Sequence, residues 1–458
     1  MMLPVQQFGK RNSSEPRFSM SRKLGYGVGD FGFNLFFTTA SLYLLYYYTD
    51  VLGLSPSAAG WVFAAALIWD AAFDPVMGYL ANRTRSRWGR YRPYLLFGAI
   101  PLAASWMLIF LPTGLEGTAL LMFAIAAHVL FRTMYAVVNM PYLALGSVIT
   151  SDSNERGVLA GVRMLFAASC GLFAAFSTLR LVELFGGGQS GFLVTAALFG
   201  SIACVALFIV FASTNEVATS AAETESHPSI NDIVLMLRSN TAFWLISGGM
   251  LGASIAGTMF NKTLPYYFKY ALDREDLIGT ALTVLTGAVM LSIPMWTWVM
   301  KRSSKRTMWL SGLVIAICVY PTLYFGPETT AFWLPLLALA GVGAGASYLG
   351  FWSTVPDTVE FGEWRTGVRA EGALFGVVVL IQKSALGLSA AALGEMLSRV
   401  GYSANIAQTP QTLAAMKLLM LGVPLVAMLI AGAFVACYPI DQQLHRQLRI
   451  GIARRRRT

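Results

Sequence analysis

Charged residues are scarce in this chain, and that scarcity excludes most soluble folds. Only 12% of its 458 residues are Asp, Glu, Lys or Arg, whereas 56% are hydrophobic. The mean hydropathy is +0.60. Soluble globular proteins carry about 25% charged residues. The composition therefore indicates an integral membrane protein.

Signatures of covalent chemistry and of phosphate binding are also absent from the sequence. It contains neither a GxxxxGK[ST] loop nor a Gly-x-Ser-x-Gly elbow. Histidine and cysteine are few, and they lack the spacing of metal ligands or of a disulfide framework: His128, His227, His445, Cys170, Cys204, Cys318 and Cys437. We therefore predict neither an enzyme nor a cofactor. Without a nucleotide site, any uphill transport has to draw on an ion gradient.

Long uncharged runs divide the chain into membrane-spanning segments. A helix needs about 20 apolar residues to cross the hydrocarbon layer. The runs lack the strict alternation of a membrane β-barrel, so they indicate helices. Twelve spans are predicted, at 25–50, 57–82, 94–112, 117–149, 157–184, 190–212, 241–270, 276–300, 307–326, 330–359, 370–398 and 412–438.

Lysine and arginine lie in one set of connecting segments, which predicts the topology. Cytoplasmic loops of membrane proteins carry the excess of these residues. The net charge of +10 is therefore explained by topology, without a nucleic-acid partner, and both termini are predicted to be cytoplasmic in a bacterial inner membrane. The basic set comprises Lys10, Arg11, Arg17, Arg22 and Lys23, the arginines in 83–92, the basic residues in 301–306, and Arg446, Arg449 and 454–457.

The longest polar stretch separates six spans from six others. Basic loops recur at matching places, "NRTRSRWGR" after the second span and "KRSSKR" after the eighth, as parallel halves of a major facilitator carrier would produce, although the positive-inside bias alone gives the same likeness. The predicted fold is an all-α integral membrane protein, a monomer in membrane lipid, with twelve transmembrane helices in two six-helix bundles. The predicted parts are an N-terminal segment 1–24, bundles 25–212 and 241–438, a linker 213–240 and a basic tail 439–458.

Two carboxylates interrupt the second span, in "IWDAAFDP". Asp70 and Asp74 are one helical turn apart, so they project from the same face. Ionisable residues inside a membrane are costly and by default functional. We interpret the pair as a reversible cation or proton site. For Asp74, capping or pairing with the basic loop at 83–92 is an alternative.

Other polar residues within the spans indicate a binding site for a small hydroxylated molecule. Sugars require hydrogen-bonding groups together with an aromatic face. Lys262, on the seventh span, and Trp352 are equally compatible with packing or snorkelling. The predicted substrate-binding residues are Asp30, Asn34, Arg132, Tyr135, Asn139, Arg163, Trp352, Gln382 and Lys383.

Five blocks of the sequence together resemble the glycoside-pentoside-hexuronide:cation symporters, the group of the melibiose permease within the major facilitator superfamily. The blocks are "KLGYGVGDFGFN", "YYYTDVLGL", "IWDAAFDPVMGYLANRTRSRWGRYRP", "YAVVNMPYLAL" and "PDTVEFGEWRTGVRAEGALFG", with "GYSAN" at 401–405 in addition. They occur in order across both halves. The resemblance implies symport of a sugar or glycoside with a cation by alternating access.

The resemblance also implies roles for individual residues. Asp70 and Asp74 are similar to the family's coupling-cation site, and Lys383 to its positive partner. The sugar-binding aspartates of the melibiose permease correspond to Asn34 and Asn139, and its arginine to Arg163. Because both aspartates are amides here, a preference for galactosides does not transfer.

Further departures from the melibiose permease bear on the ion and the substrate. Oxygen ligands of its sodium site are replaced by Phe73 and Ala136, which favours H+ over Na+ as the coupling ion; Asp70 and Asp74 would be metal ligands only if the ion were Na+. Arg132 makes the expected cavity more positive and suggests an anionic sugar such as a hexuronide. Pairing of Arg132 with a nearby acid is the alternative.

The segments "NRTRSRWGR" and "EFGEWRTGVRAE" are predicted to form a cytoplasmic gate. Arginines of the first half would meet acids of the second, although simple solvation of the loops is an alternative. The predicted gate residues are Arg85, Arg87, Arg90, Asp357, Glu360, Glu363 and Arg369. A sodium-coupled symporter, a carrier of lipid-like cargo and a sugar sensor that does not transport remain as alternative functions.

Overall fold

A computed structural model describes residues 19–150, 153–216 and 230–455, and its regular elements there are all helical. The helices of the first half are α1 Met20–Tyr46, continued by a π-helical segment Tyr47–Val51, α2 Pro56–Arg83, α3 Arg92–Ile109, α4 Gly117–Val148, α5 Ser153–Leu184 and α6 Gly188–Ser213.

The second half begins with a short helix and ends with an amphipathic one. Its helices are α7 Ile230–Ser239, α8 Thr241–Tyr270, α9 Ile278–Arg302, α10 Lys305–Phe325, α11 Thr330–Thr366, α12 Glu371–Arg399, α13 Pro410–Lys417, α14 Val423–Ala436 and α15 Gln442–Arg455. A 3-10 turn Glu275–Leu277 precedes α9, and a π-helical segment Leu418–Gly422 joins α13 to α14.

The predicted fold class is confirmed by these helices and by the structural likeness described below. Eleven spans in the described part of the chain are long and apolar enough to cross a membrane. Helix α1 falls outside that set because Asp30, Asn34 and several tyrosines reduce its hydropathy. It nevertheless packs along α5 and α6 as the twelfth long helix.

The structure adds helical residues beyond the predicted spans at the end of α11, in the predicted linker and in the predicted tail. The tenth span was predicted to end at 359, but α11 continues to Thr366 and ends at Gly367, whose φ of 77° is accessible to glycine at little cost. The predicted linker contains α7, and the predicted tail contains α15. Predictions for 1–18, 151–152, 217–229 and 456–458, including those on Lys10, Arg11, Arg17 and His227, lie outside the described residues.

The two halves meet chiefly along α2 and α12, and also along α5 and α9 and along α1 and α8. Small residues allow the backbones to approach closely, because lipid provides little hydrophobic drive for helix association. A Cβ on Gly394 would lie 2.1 Å from the Pro56 carbonyl oxygen. The Asp74–Lys383 ion pair joins the halves. Between the level of this pair and the basic loops, no hydrogen bond or ion pair among the described residues joins them. At the end of the molecule opposite those loops, hydrogen bonds join the halves, from Tyr402 to Asp50 and from Ser57 to Glu395.

Candidate functional site

A cluster of two carboxylates and two cations lies where α2, α4 and α12 meet. The Lys383 ammonium forms an ion pair with Asp74 and lies 2.8 Å from Asp70 Oδ2. Arg132 NH1 lies 3.7 Å from the same Asp70 oxygen. Asp70, Arg132 and Asp74 are buried. The structure thus brings together the three residues predicted for cation coupling and adds Arg132 to them.

Several oxygens in this cluster lack hydrogen-bond donors among the described residues. Lys383 donates a hydrogen bond to Asp74 Oδ2, but its contact with Asp70 lacks hydrogen-bond geometry. Both oxygens of Asp70, and Oδ1 of Asp74, accept no hydrogen bond from the described residues. An unsatisfied buried acceptor costs about 1–3 kcal/mol, more for a charged group. The cluster therefore has the capacity to bind a proton or a small cation.

A second ion pair joins α1 to α5. The Arg163 guanidinium holds Asp30 in a two-pronged contact through Nε and NH2, with NH2 3.2 Å from Oδ1. Tyr142 donates a 3.0 Å hydrogen bond to Asp30 Oδ2, and the arginine lies 5.2 Å from the centre of its ring. The Asn34 amide donates to the backbone oxygen of Asp30 at 2.8 Å. Asp30, Asn34 and Arg163 thus form one preorganised group.

Two adjoining cavities share Ser254, Gly257 and Asn261 in their walls. The larger, of about 270 Å³, is lined by Trp352, Gln382 and other residues of the second half. The smaller, of about 160 Å³, is lined from both halves and includes Arg132 and Lys262. An aromatic plate with polar neighbours suits a sugar.

Other predicted substrate-binding residues do not line these cavities. These are Asp30, Asn34, Tyr135, Asn139, Arg163 and Lys383. Asn139 is buried, and its side-chain oxygen accepts no hydrogen bond from the described residues. Tyr135 packs edge-on against Phe33, with 5.5 Å between the ring centres. The predicted binding residues therefore separate into a cavity wall and a group nearer to α1 and α5.

Lys262 lies in the wall of the smaller cavity with only 4% of its surface exposed. Its Nζ donates a 2.9 Å hydrogen bond to the Ser41 carbonyl and lies 3.7 Å from the centre of the Phe63 ring. A snorkelling lysine would carry its ammonium to the membrane surface. The buried position of the Lys262 ammonium therefore excludes snorkelling.

Sequence analysis missed a polar cluster around Asp50, at the closed end of the molecule. Tyr402 donates a 2.6 Å hydrogen bond to Asp50 Oδ2, Tyr270 donates to Oδ1, and Lys269 Nζ lies 3.2 Å from Oδ1. Asn405 donates to the Asp50 backbone oxygen at 2.8 Å. Two features of the sequence could have indicated this cluster. They are Asp50 at the end of the tyrosine-rich run "YLLYYYTD" in the first half, and "GYSAN" at 401–405 in the second. These contacts join the halves.

The predicted gate residues do not meet across the halves in this structure. Asp357 pairs with Lys305 at 2.7 Å, and Glu363 with Arg369 at 3.0 Å. Glu360 lies 3.0 Å from His445 of α15. Arg85, Arg87 and Arg90 form no ion pair with these acids among the described residues, and Arg87 lies over the Trp88 ring. The acids are instead paired within the second half.

Two helical bundles with ion pairs at their interface and cavities beside them are typical of a secondary transporter of the major facilitator type. The chain belongs to the family described as MFS/sugar transport protein, which matches residues 25–442. The resemblance to glycoside-pentoside-hexuronide:cation symporters is thereby confirmed, and the protein is an integral multi-pass membrane transporter rather than an enzyme.

Known relatives match the chain over nearly its whole length. The isoprimeverose transporter of Lactiplantibacillus pentosus is 31% identical, and the alignment covers 92% of this chain and 89% of the relative. The glucuronide carrier protein homolog of Escherichia coli K12 is 28% identical over 95% of this chain and 96% of its own. The crystal structure of the nucleoside transporter NupG shares the fold, with a TM-score of 0.64 at 13% identity over 92% of this chain and 100% of its own.

Proposed function

We propose that the protein is a secondary active symporter that takes up a sugar or glycoside together with a cation by alternating access. The observation that carries this proposal is the contact of one ammonium, Lys383, with both Asp70 and Asp74, beside a cavity lined by Trp352 and Gln382. The names of the isoprimeverose and glucuronide relatives support a sugar or glycoside as the substrate.

The proposed coupling ion is H+. A sodium site requires several oxygen ligands, whereas Phe73 and Ala136 supply none. The Lys383 ammonium already lies against both carboxylates, where a metal ion would have to bind. A proton needs only one carboxylate oxygen, and both oxygens of Asp70 accept no hydrogen bond from described residues.

The proposed coupling is reciprocal. Protonation of the Asp70/Asp74 pair weakens its attraction for Lys383 and so loosens the contact between α2 and α12. If that arrangement binds sugar more tightly, the sugar must raise the affinity for the proton by the same factor. The substrate would contact Trp352, Gln382 and Arg132 in the cavities, and the groups around Asn139 and Arg163 in other steps of the cycle.

The positive-inside bias gives the proposed orientation in a bacterial inner membrane, with both termini cytoplasmic. In that orientation the Asp50 cluster closes the outer side, and the described conformation faces the cytoplasm. The predicted bundles 25–212 and 241–438 would rock about the midplane as two units joined by the linker 213–240. Arg85, Arg87 and Arg90 would meet Asp357, Glu360 and Glu363 only when the cytoplasmic side closes.

Transport into proteoliposomes tests this function. The purified full chain would be screened by counterflow with labelled pentosides, hexosides and hexuronides, and a substrate found there would then be offered with either a proton or a sodium gradient at zero membrane potential. We expect accumulation with the proton gradient alone. Accumulation with the sodium gradient alone would contradict proton coupling, and a complete lack of counterflow across the panel would contradict sugar transport.

A further inference from the structure

The buried charges at the centre of the molecule do not cancel. Asp70 and Asp74 are matched by Lys383 and Arg132, and Asp30 is matched by Arg163. The remaining cation is Lys262, which has no carboxylate within ion-pair distance among the described residues. A buried charge without a counter-charge is costly, and an anion bound beside Lys262 would stabilise its charged form.

The surroundings of the Lys262 ammonium leave it free to bind a ligand. An ammonium group has three hydrogen-bond donors. One is directed to the Ser41 carbonyl, and the Phe63 ring covers another side. Since Lys262 also lines the smaller cavity, its remaining donor capacity is available to a molecule bound there.

Arg132 lines the same cavity, and its donors are only weakly used. Its NH1 is 3.7 Å from Asp70, beyond hydrogen-bond distance, and its Nε is 3.5 Å from His128 Nε2. A guanidinium presents five N–H donors in a fork that matches a carboxylate. The cavity therefore holds two buried cations, one from α4 in the first half and one from α8 in the second.

We propose that Lys262 and Arg132 together bind an anionic substituent of the substrate, a carboxylate or sulfonate carried by the sugar. Ser254, Thr258 and Asn261 line the same cavity and supply neutral polar groups for the neighbouring hydroxyls. The bound anion provides the counter-charge that no described residue supplies to Lys262. Because the two cations come from opposite halves, the bound anion connects the halves. This inference rests on the proposed sugar transport and specifies the class of sugar.

The test compares matched anionic and neutral ligands on the reconstituted full chain. Inhibition of counterflow would be measured with 4-nitrophenyl β-D-glucuronide against 4-nitrophenyl β-D-glucoside, and with galacturonate against galactose. We expect the anion of the preferred pair to bind about ten- to a hundredfold more tightly, the range expected for charge-assisted hydrogen bonds. Lys262→Gln should abolish that preference while changing the affinity for the neutral partner by no more than about threefold, because only the anion uses the ammonium.

Two further variants separate a binding role from a structural one. Lys262→Arg should retain the preference for the anion, because the positive charge remains. Lys301→Gln, which changes an exposed lysine at the end of α9, should leave both ligands unaffected.

Each outcome decides the proposal. The proposal is overturned if the wild-type protein binds the neutral ligand of every pair as tightly as the anion. It is also overturned if Lys262→Gln weakens the binding of both ligands equally. If the variant does not fold, the wild-type comparison alone decides. Counterflow of neutral glycosides with rejection of all anions would overturn the anion site alone. Failure of every ligand in the panel would overturn sugar transport as well.

Discussion

Lys383 Nζ lies 2.8 Å from Oδ2 of Asp70, a residue with no exposed surface, and the same ammonium also pairs with Asp74. One cation on α12 thus contacts both carboxylates on α2. Since these helices belong to different halves, the candidate coupling site and the main contact between the halves are the same place. Any ion that binds there changes how strongly the halves are held together.

Asp70→Asn should uncouple transport from the ion gradient. The amide occupies the same space but takes up no proton, so we expect gradient-driven accumulation to fall by about tenfold or more while counterflow continues. Both activities would be measured in the same proteoliposomes. Asp273→Asn, an exposed position in the loop after α8 with φ of 52°, is the control and should behave like the wild type. Retention of full accumulation by Asp70→Asn would argue against a coupling role.

Lys383→Gln should destabilise the protein, because it leaves two carboxylates without their nearest cation. Removing one partner of a buried ion pair costs about 3–5 kcal/mol. Thermal unfolding in detergent would show a lowered transition temperature. Adding Asp74→Asn to this variant should restore part of the loss, since one uncompensated charge disappears. Additive losses in the double variant would show that the two side chains do not act together.

Arg163→Lys should weaken substrate binding although it preserves the charge. The guanidinium holds Asp30 through two nitrogens, and an ammonium is unable to reproduce that fork. We expect a loss of about tenfold in affinity, measured by counterflow inhibition, because Asp30 and Tyr142 lose their fixed arrangement. Arg302→Lys, an exposed arginine that lies over Trp298, serves as the control. Unchanged affinity in Arg163→Lys would remove this pair from the proposed site.

Asp50→Asn should favour separation of the halves at the Asp50 end, the proposed outer side. The carboxylate accepts hydrogen bonds from Tyr270, Tyr402 and Lys269, each a charge-assisted bond worth about 1.5–3 kcal/mol. Spin labels in the loops 111–116 and 326–329 would report the separation of the halves, which we expect to increase. Lys417→Gln removes an ion pair with Glu328 inside the second half and should leave that separation unchanged. An unaltered distance distribution in Asp50→Asn would show that the hydrogen bonds to Asp50 do not hold the halves together.

Gly394→Val should prevent the close approach of α2 and α12. A Cβ there would lie 2.1 Å from the Pro56 carbonyl oxygen, a distance that requires the helices to separate. We expect the same pair of spin labels to report a larger separation, and transport to slow because one state of the cycle is disfavoured. Gly372→Val lies on the same helix with open space around its Cβ and should transport normally. Normal transport by Gly394→Val would show that this contact is dispensable.

The candidate site was only partly predictable from the sequence. The i, i+4 spacing placed Asp70 and Asp74 on one face, because that relation depends on helical periodicity alone. The role of Lys262 stayed open, because burial depends on which neighbour covers a helix face. The Asp50 cluster was missed, since its partners come from distant segments at the ends of helices. Arg132 was predicted to make the cavity more positive or to pair with a nearby acid, and only the structure shows that its NH1 lies 3.7 Å from Asp70.

The sequence by itself determined that this protein lies in a membrane, that its long segments are helical, and which family it resembles. Those properties depend on composition, on periodicity and on motifs that are local in the chain. Only the tertiary structure decided which charges meet: Lys383 with Asp70 and Asp74, and Asp357 with Lys305. It also shows that Lys262 has no carboxylate within ion-pair distance among the described residues. The physical reason is that such pairs depend on the rotation and separation of packed helices. In a transporter these also change with the conformation, and the predicted gate contacts are absent from a conformation whose halves are joined around Asp50.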